Sequence, residues 1–283
     1  AAGAAAGRGR RMLSQSDFRR LSRFIEGYCG IRMPDNKRVM LETRLRRRLS
    51  ALKMTDFREY CRYVFDERGL EHEAVHLINA VTTNKTDFFR EPDHFHFLET
   101  VAVPTITRSC RNKLVQVWSA ACSIGAEPYS IAMVLDDMVQ RGGQFSFSIL
   151  GTDICTDVIQ RAACGVFPED MATPVPPNFR RRYLMVARDQ ERREVRVVPE
   201  LRRMVRFMHM NLLEDSYPLQ QPADIVFCRN ILIYFSKPNQ GRVLERLCAS
   251  MRPGGFLFLG HSETIAGLDL PLEQVATTVF VRR

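Results

Sequence analysis

The sequence lacks a long hydrophobic run, although apolar residues make up 45% of its 283 residues. A membrane-spanning helix needs about 20 consecutive apolar residues, and the apolar runs here, among them 231–235, are far shorter. The N-terminal residues also lack the apolar stretch of an export signal. We therefore expect a globular protein of the cytoplasm that does not insert into a membrane.

No two of the eight cysteines have Cys-x-x-Cys spacing, so neither a zinc ribbon nor a thioredoxin-type dithiol is indicated. The G-x-G-x-x-G and Walker A motifs of nucleotide-binding proteins are also missing. A zinc-protease pattern does occur, as His72-Glu-Ala-Val-His76. It lies in a helical region away from any sheet edge, and no metzincin extension follows, so we predict no metal site.

An excess of positive charge is found only at the N-terminal end of the chain. Residues 1–60 contain 15 Lys or Arg against 6 Asp or Glu, whereas the remaining residues are balanced. This asymmetry indicates either an acidic partner or a solvated basic helix. Four basic residues lie together beside the apolar stripe of a predicted helix at 36–54: Lys37, Arg44, Arg47 and Arg48.

The chain changes character along its length. Residues 1–11 are of low complexity and are interpreted as a disordered tail. Helical periodicity over 12–90 predicts a small all-α domain, and 91–110 a linker helix whose first half is limited by Pro104. From 111 to 283, strands alternate with helices, which predicts a doubly wound α/β sheet. The strands are expected at 114–118, 145–150, 205–210, 225–228, 256–259 and 275–281.

Residues 168–204 interrupt this α/β pattern because they are rich in proline and charge. Segments 182–187 and 194–198 could pair as a β-hairpin inserted into the sheet domain. A long surface loop is the alternative. The alternation of Val195 and Val197 with polar residues favours the hairpin.

The first two strands of the α/β region end in residues suited to a nucleoside ligand. A small-residue loop at 119–125 would let backbone N–H groups approach a ligand. Glu127 would repel phosphate but suits an amine or sulfonium cation. Asp153 could accept two hydrogen bonds from a ribose diol, although a helix cap is the alternative. Together these residues favour S-adenosylmethionine over a pyrophosphate ligand.

Two further segments place polar groups among apolar ones. In 82–91, Asn84 and Thr86 offer directed hydrogen bonds and Arg90 can grip a carboxylate, unless the segment is only a capped turn. In 227–235, the polar residues either knit the core together or line a site. They are Arg229, Asn230 and Tyr234.

Four segments resemble, in order and spacing, the chemotaxis receptor glutamate methyltransferases (CheR). They are TTNKTDFFRE (82–91), WSAACSIGAEPYS (118–130), FCRNILIYF (227–235) and GHSE (260–263). The resemblance covers residues 12–283. It implies a helical N-terminal domain and a Rossmann-like S-adenosylmethionine-dependent methyltransferase domain with an inserted small antiparallel β-subdomain.

The resemblance also implies an activity and a set of site residues. A monomer would methylate glutamates on the cytoplasmic helical bundle of chemotaxis receptors, leaving glutamyl methyl esters and S-adenosylhomocysteine. The basic residues at 37–48 would dock the receptor. By motif match, Tyr234 would face the methyl group, and Arg90 would orient a carboxylate. The cofactor would contact Asn84, Thr86, Arg90 and Glu127 at its methionine end, Asp153 at the ribose, Asn211 and Leu212 at the adenine, and Arg229 and Asn230 where the site closes.

The sequence shows no Ser-His-Asp or Cys-His pattern. This absence agrees with glutamate methylation, because a glutamate is already ionised near pH 7 and needs only to be positioned. One alternative is a nucleic-acid methyltransferase that uses the basic helix as a phosphate patch. Cys228-Arg-Asn-Ile231 disfavours it, since amino-methylating DNA enzymes carry Asn/Asp-Pro-Pro-Tyr/Phe there. Because of this motif, we do not expect nucleic acid as a partner. The other alternative is a non-catalytic regulator that binds S-adenosylmethionine.

Overall fold

A computed structural model describes residues 12–109 and 113–283. The predicted tail, 1–11, lies outside the described residues. The chain divides into two compact units between Thr83 and Asn84, whereas the sequence placed the end of the helical domain at residue 90. Among the described residues, no helix combines the length and apolar character that crossing a membrane requires.

The first unit contains four helices: α1 (Gln15–Cys29), α2 (Arg38–Ala51), α3 (Phe57–Asp66) and α4 (Leu70–Val81). The side chains of Ser14 and Asp56 accept backbone hydrogen bonds at the N-termini of α1 and α3, so each satisfies an otherwise unpaired helical N–H. The predicted apolar stripe of α2 faces the core, where Leu41, Leu45 and Leu49 are buried.

The second unit combines helices with two sheets. Its helices are α5 (Pro92–Phe97), α6 (Val103–Ser109), α7 (Ala126–Gln140), α8 (Thr156–Cys164), α9 (Pro177–Tyr183), α10 (Pro199–Met204) and α11 (Lys237–Ala249). Its strands are β1 (Leu114–Ala120), β2 (Ser146–Asp153), β3 (Val166–Pro168), β4 (Leu184–Val186), β5 (Glu194–Val197), β6 (Val205–His209), β7 (Ala223–Cys228), β8 (Met251–Leu259), β9 (Leu272–Ala276) and β10 (Val279–Arg282).

The main sheet has seven strands in the order β6-β2-β1-β7-β8-β10-β9. The first five of these are parallel to their neighbours, which confirms the predicted α/β class. Strand β1 lies between β2 and β7, so strands β2 and β6 are added on one side of β1, and the strands from β7 onward are added on its other side. In such sheets a crevice for ligands forms at the carboxyl ends of the strands where the order reverses.

The single final strand predicted at 275–281 is wrong. This region forms two antiparallel strands, β9 and β10, and only β10 pairs with β8. Thr278 lies in the turn between them with φ 53. The turn contains no Gly or Pro, and a β-branched residue rarely adopts positive φ, so no residue pattern indicates this turn.

The inserted segment forms a separate antiparallel sheet in the order β3-β5-β4. The predicted hairpin is confirmed as β4 and β5, and the long-loop alternative is excluded.

Pro104 was predicted to limit the first half of the linker helix, and it is the second residue of α6, which begins at Val103. A π-helical segment, Leu98–Ala102, lies immediately before it. Proline has no backbone N–H, and in an α-helix its ring clashes with the carbonyl of the preceding turn. The wider i→i+5 turn relieves this clash, so the helix can continue past Pro104.

Candidate functional site

The loop after β1 is held against the end of β2 by Asp153. One carboxylate oxygen accepts a hydrogen bond from the Ser123 backbone N–H (2.8 Å), and the other accepts one from the Cys155 N–H (2.9 Å). Burial raises the pKa of Asp153, and these N–H donors oppose that shift. Each oxygen has a second lone pair, so the carboxylate keeps the capacity to accept hydrogen bonds from a diol.

The same loop turns sharply because several of its residues are left-handed. Ala121 has φ 60, Ser123 has φ 53 and Gly125, just before α7, has φ 92. A Cβ on Gly125 would lie 2.9 Å from the Cβ of Ala162, so no larger residue fits without a shift. The hydroxyl of Ser123 also donates to the carbonyl of Asn84 (2.8 Å), which brings the predicted cofactor segment 84–90 to this loop.

Glu127, at the start of α7, pairs with a cation of the chain itself. Its Oε1 accepts from the Ser119 hydroxyl (2.7 Å), and its Oε2 accepts from Nε of Arg229 (2.6 Å). The sequence assigned Glu127 to a ligand cation. In this structure, the Arg229 guanidinium lies beside it.

Arg229 connects the end of β7 to the segment that begins α5. Its side chain is only 2% exposed. Nη1 donates to the Arg90 carbonyl (2.7 Å) and to Nδ1 of His94 (3.1 Å). The guanidinium also lies 5.5 Å from the ring centres of Phe95 and Phe227. The sequence analysis left two roles open for Arg229, which were to stabilise the core or to line a site. These contacts correspond to the first role.

His94 is neutral in this arrangement. An arginine can only donate, so Nδ1 of His94 must accept from Arg229, and its proton lies on Nε2, which is 3.0 Å from the Thr278 hydroxyl. Burial, with the charge of Arg229, lowers the pKa of His94 to about 4. Glu91, His94 and His261 lie close enough to suggest metal ligands, but Arg229 uses the Nδ1 lone pair and would repel a cation.

Two carboxylates that the sequence analysis did not assign hold the polar turn after β7. Glu91 accepts from Nη1 of Arg229 (3.4 Å), from Nδ2 of Asn230 (3.3 Å) and from the backbone N–H of His261 (3.3 Å). Burial works to raise the pKa of Glu91, but these donors together hold it below its ordinary value. The second carboxylate, Glu263, accepts from backbone N–H groups, and it has no side-chain donor among the residues that the structure describes.

Backbone strain is concentrated in these segments. Ten non-glycine residues of the described chain have positive φ, and five of them lie in the loop after β1, before α5 or in the turn after β7. They are Phe89, Glu91, Ala121, Ser123 and Asn230. Such conformations persist only where the surroundings hold them, and they cluster at functional sites. This concentration marks the crevice at β1, β2 and β7 as the candidate site.

Some polar groups in this site can still form hydrogen bonds with a ligand. Arg90 is half-buried, and its guanidinium forms no hydrogen bond or ion pair with any residue that the structure describes. The Thr86 hydroxyl is likewise without a partner in the described chain. Nδ2 of Asn84 is 3.8 Å from Sγ of Cys155. A half-buried cation without a carboxylate partner is suited to a ligand carboxylate.

The other predicted site residues follow β6 and β7. Asn211 and Leu212 are buried directly after β6, and Oδ1 of Asn211 accepts from the Leu213 N–H (3.0 Å). Tyr234 is half-buried and ends the 3₁₀ turn Leu232–Tyr234. These residues therefore lie beyond the carboxyl ends of strands in the same sheet as β1 and β2.

Three of the four basic residues predicted to dock a partner have hydrogen-bond partners inside the first unit. Arg48 forms a bidentate pair with Glu73, which is 1% exposed, and Arg44 donates to the carbonyls of Val81 (2.7 Å) and Thr82 (2.9 Å). Nζ of Lys37 donates to the Arg32 carbonyl (3.2 Å). Arg47 is exposed and unpaired among the described residues. Glu73 is also the glutamate of the zinc-protease pattern, so this carboxylate serves packing.

Comparisons with known proteins agree with both units. The model of the "CheR methyltransferase, all-alpha domain" matches residues 16–82, and that of the "CheR methyltransferase, SAM binding domain" matches residues 84–281. The chain is 36% identical over 269 residues to Chemotaxis protein methyltransferase 2 of Pseudomonas aeruginosa, covering 94% of this chain and 93% of that protein. It is 37% identical over 268 residues to the chemotaxis protein methyltransferase of Escherichia coli (95% and 91% covered) and 32% identical over 259 residues to that of Borreliella burgdorferi (90% of each).

Proposed function

The chain belongs to the CheR methyltransferase family and is a methyltransferase that uses S-adenosylmethionine, and from this premise we propose that it methylates glutamates of chemotaxis receptors. The acceptors are side chains on the cytoplasmic helical bundle of the receptor, and the products are glutamyl methyl esters and S-adenosylhomocysteine. The names of the relatives support the receptor as substrate.

The observation that carries the cofactor assignment is the half-buried Arg90 without a carboxylate partner in the described chain. Its guanidinium would hold the carboxylate of the methionine end, with Thr86 and Asn84 beside it. The free lone pairs of Asp153 would accept the ribose hydroxyls, and Asn211 with Leu212 would border the adenine. Arg229 and Glu127 neutralise each other, so they would shape this pocket rather than contribute net charge.

The chemistry requires little beyond position. S-adenosylmethionine supplies an electrophilic methyl group, which an ionised glutamate accepts without giving up a proton. The protein therefore needs no general base, and alignment of the two reactants is worth up to about 7–11 kcal/mol. In this proposal, Tyr234 orients the methyl group, Arg90 fixes the cofactor by its carboxylate, and Asn230 closes the site.

The basic face of α2 is proposed as the surface that meets the receptor. Arg47 is exposed and has no ion-pair partner among the described residues, whereas Arg44 and Arg48 hold the helices of the first unit together. Attraction between basic side chains and receptor glutamates is screened by salt, so docking should weaken as ionic strength rises.

The proposed function is tested with purified receptor cytoplasmic fragment and methyl-labelled S-adenosylmethionine. Wild-type protein should label the fragment, and peptide mass spectrometry should place the methyl groups on glutamates. The Arg90→Ala variant should label it far more slowly, whereas Arg206→Ala, which removes an exposed arginine on β6, should match the wild type. Transfer to nucleic acid but not to the fragment would refute the proposal.

A further inference from the structure

Glu263 is a buried carboxylate whose hydrogen-bond donors, within the described part of the chain, are all backbone N–H groups. It is 6% exposed and accepts hydrogen bonds from the N–H groups of Gly260 (2.7 Å), Asn230 (2.9 Å) and Leu232 (2.7 Å). None of the ion pairs among the described residues includes it. Burial raises the pKa of Glu263, and the N–H donors stabilise its ionised form.

The three N–H groups belong to two segments that approach each other closely. A Cβ on Gly260 would lie 2.4 Å from Nδ2 and 2.8 Å from the backbone nitrogen of Asn230. Asn230 itself has φ 58, a left-handed conformation. Without the carboxylate, the three N–H groups would lose their acceptor, which is unfavourable where they are buried. The turn therefore keeps this shape because Glu263 holds it.

The held turn is the one that presents predicted site residues. The Asn230 N–H is at its beginning, and the Leu232 N–H is at the first residue of the 3₁₀ turn that ends at Tyr234. We propose that Glu263 is a positioning residue for methyl transfer, because its carboxylate fixes the turn that carries Asn230 and Tyr234. This inference rests on the proposed function.

Two substitutions separate hydrogen-bond acceptance from packing. Glu263→Gln keeps the size of the side chain but replaces one acceptor oxygen by an NH₂ group, which would face an N–H donor. Glu263→Asp keeps both acceptors but is shorter by one methylene. A residue that only fills space would tolerate Gln better than Asp. A residue that positions the turn would tolerate Asp better than Gln.

The kinetic test measures kcat, the KM for receptor fragment and the unfolding midpoint of both variants. We expect Glu263→Gln to lower kcat by about tenfold or more and to leave the receptor KM within about twofold, because docking does not involve the turn. Glu263→Asp should retain more turnover than Glu263→Gln. The matched control is Glu273→Gln on β9, whose carboxylate is 60% exposed and pairs with Arg283. Turnover of Glu263→Gln within twofold of wild type, or above that of Glu263→Asp, would overturn the inference.

Hydrogen exchange tests the inference without any turnover, and so separates its failure from failure of the proposed function. The Glu263→Gln variant should exchange the amides of 229–234 at least about tenfold faster than wild type, while the buried amides of β7 keep their protection. Equal exchange in the two proteins would show that Glu263 does not hold the turn. If the wild type methylates no receptor, this measurement still decides the role of Glu263.

Discussion

Nε of Arg229 donates a 2.6 Å hydrogen bond to Oε2 of Glu127, and the two side chains are 2% and 10% exposed. The residues are 102 positions apart in sequence. Their pairing ties the residue that follows β7 to the start of α7. A buried pair of this kind is costly to break, because the remaining partner is left as an uncompensated charge.

Replacing the arginine of this pair should destabilise the protein strongly. In Arg229→Leu, Glu127 and Glu91 lose their cation, and we expect the free energy of unfolding to fall by about 3–5 kcal/mol. Urea unfolding measures the change. Arg141→Leu is the control, because Arg141 is 57% exposed and its ion pairs with Glu99 and Asp137 should contribute no more than about 1 kcal/mol. Equal losses in the two variants would contradict this reading of Arg229.

Removing Arg90 should affect the cofactor and spare the fold. Its guanidinium has no partner to lose among the described residues, so the unfolding midpoint of Arg90→Ala should stay close to that of wild type. Loss of a charge-assisted hydrogen bond should weaken binding of S-adenosylhomocysteine by about 10- to 100-fold. Isothermal titration calorimetry measures the affinity, and Arg90→Lys should recover only part of it, because lysine cannot bind a carboxylate bidentately. Unchanged affinity in Arg90→Ala would remove Arg90 from the cofactor site.

The buried histidine predicts a loss of stability in acid. In the folded chain the pKa of His94 is lowered to about 4, by burial and by Arg229, whereas an unfolded histidine titrates near 6.5. The unfolded state therefore binds this proton first, and its uptake should lower the free energy of unfolding as the pH falls from about 6.5 to 4. The free energy of unfolding, measured between about pH 6.5 and 4, should fall less steeply with pH for His94→Gln than for the wild type. The control His72→Gln, at an exposed position of α4, should keep the wild-type slope. Identical slopes for His94→Gln and wild type would exclude His94 as the source.

The contact between Gly260 and Asn230 predicts a position that tolerates only glycine. In Gly260→Ala the new methyl group would meet a backbone nitrogen at 2.8 Å, so the turn after β7 must shift. We expect turnover to fall by about tenfold or more, with the larger effect on kcat. The control is Gly27→Ala in α1, where a Cβ meets nothing within 4 Å and alanine should stabilise the helix by about 0.5–1 kcal/mol. Wild-type turnover in Gly260→Ala would show that the turn adapts at no cost.

Local patterns in the sequence were sufficient for most of the fold. Short apolar segments alternating with helices located the strands of the parallel sheet, and the alternation of Val195 and Val197 with polar residues located the inserted hairpin. The turn before β10 was missed, because Thr278 adopts positive φ without any Gly or Pro nearby. The continuation of the helix through Pro104 depends on a π-helical segment that no residue pattern marks.

The candidate site was predictable in part. Motif resemblance selected Arg90, whose guanidinium forms no hydrogen bond or ion pair within the described part of the chain. The same reasoning could not foresee that Glu127 would pair with Arg229, since that choice depends on contacts across the whole domain. Glu91 and Glu263 were missed for a related reason. Most of their hydrogen bonds join segments that are 31 to 170 residues apart, although both residues lie within motifs that carry the resemblance.

The most direct test of the central claim is the chemical nature of the transferred methyl group. Chemotaxis receptor fragment labelled by this protein with methyl-labelled S-adenosylmethionine is treated with mild alkali, and volatile label is collected. A methyl ester on a glutamate carboxylate hydrolyses under these conditions, so the account predicts that the label is released as methanol. Label that remains on the receptor after alkali would place the methyl group on nitrogen and would contradict glutamate methylation.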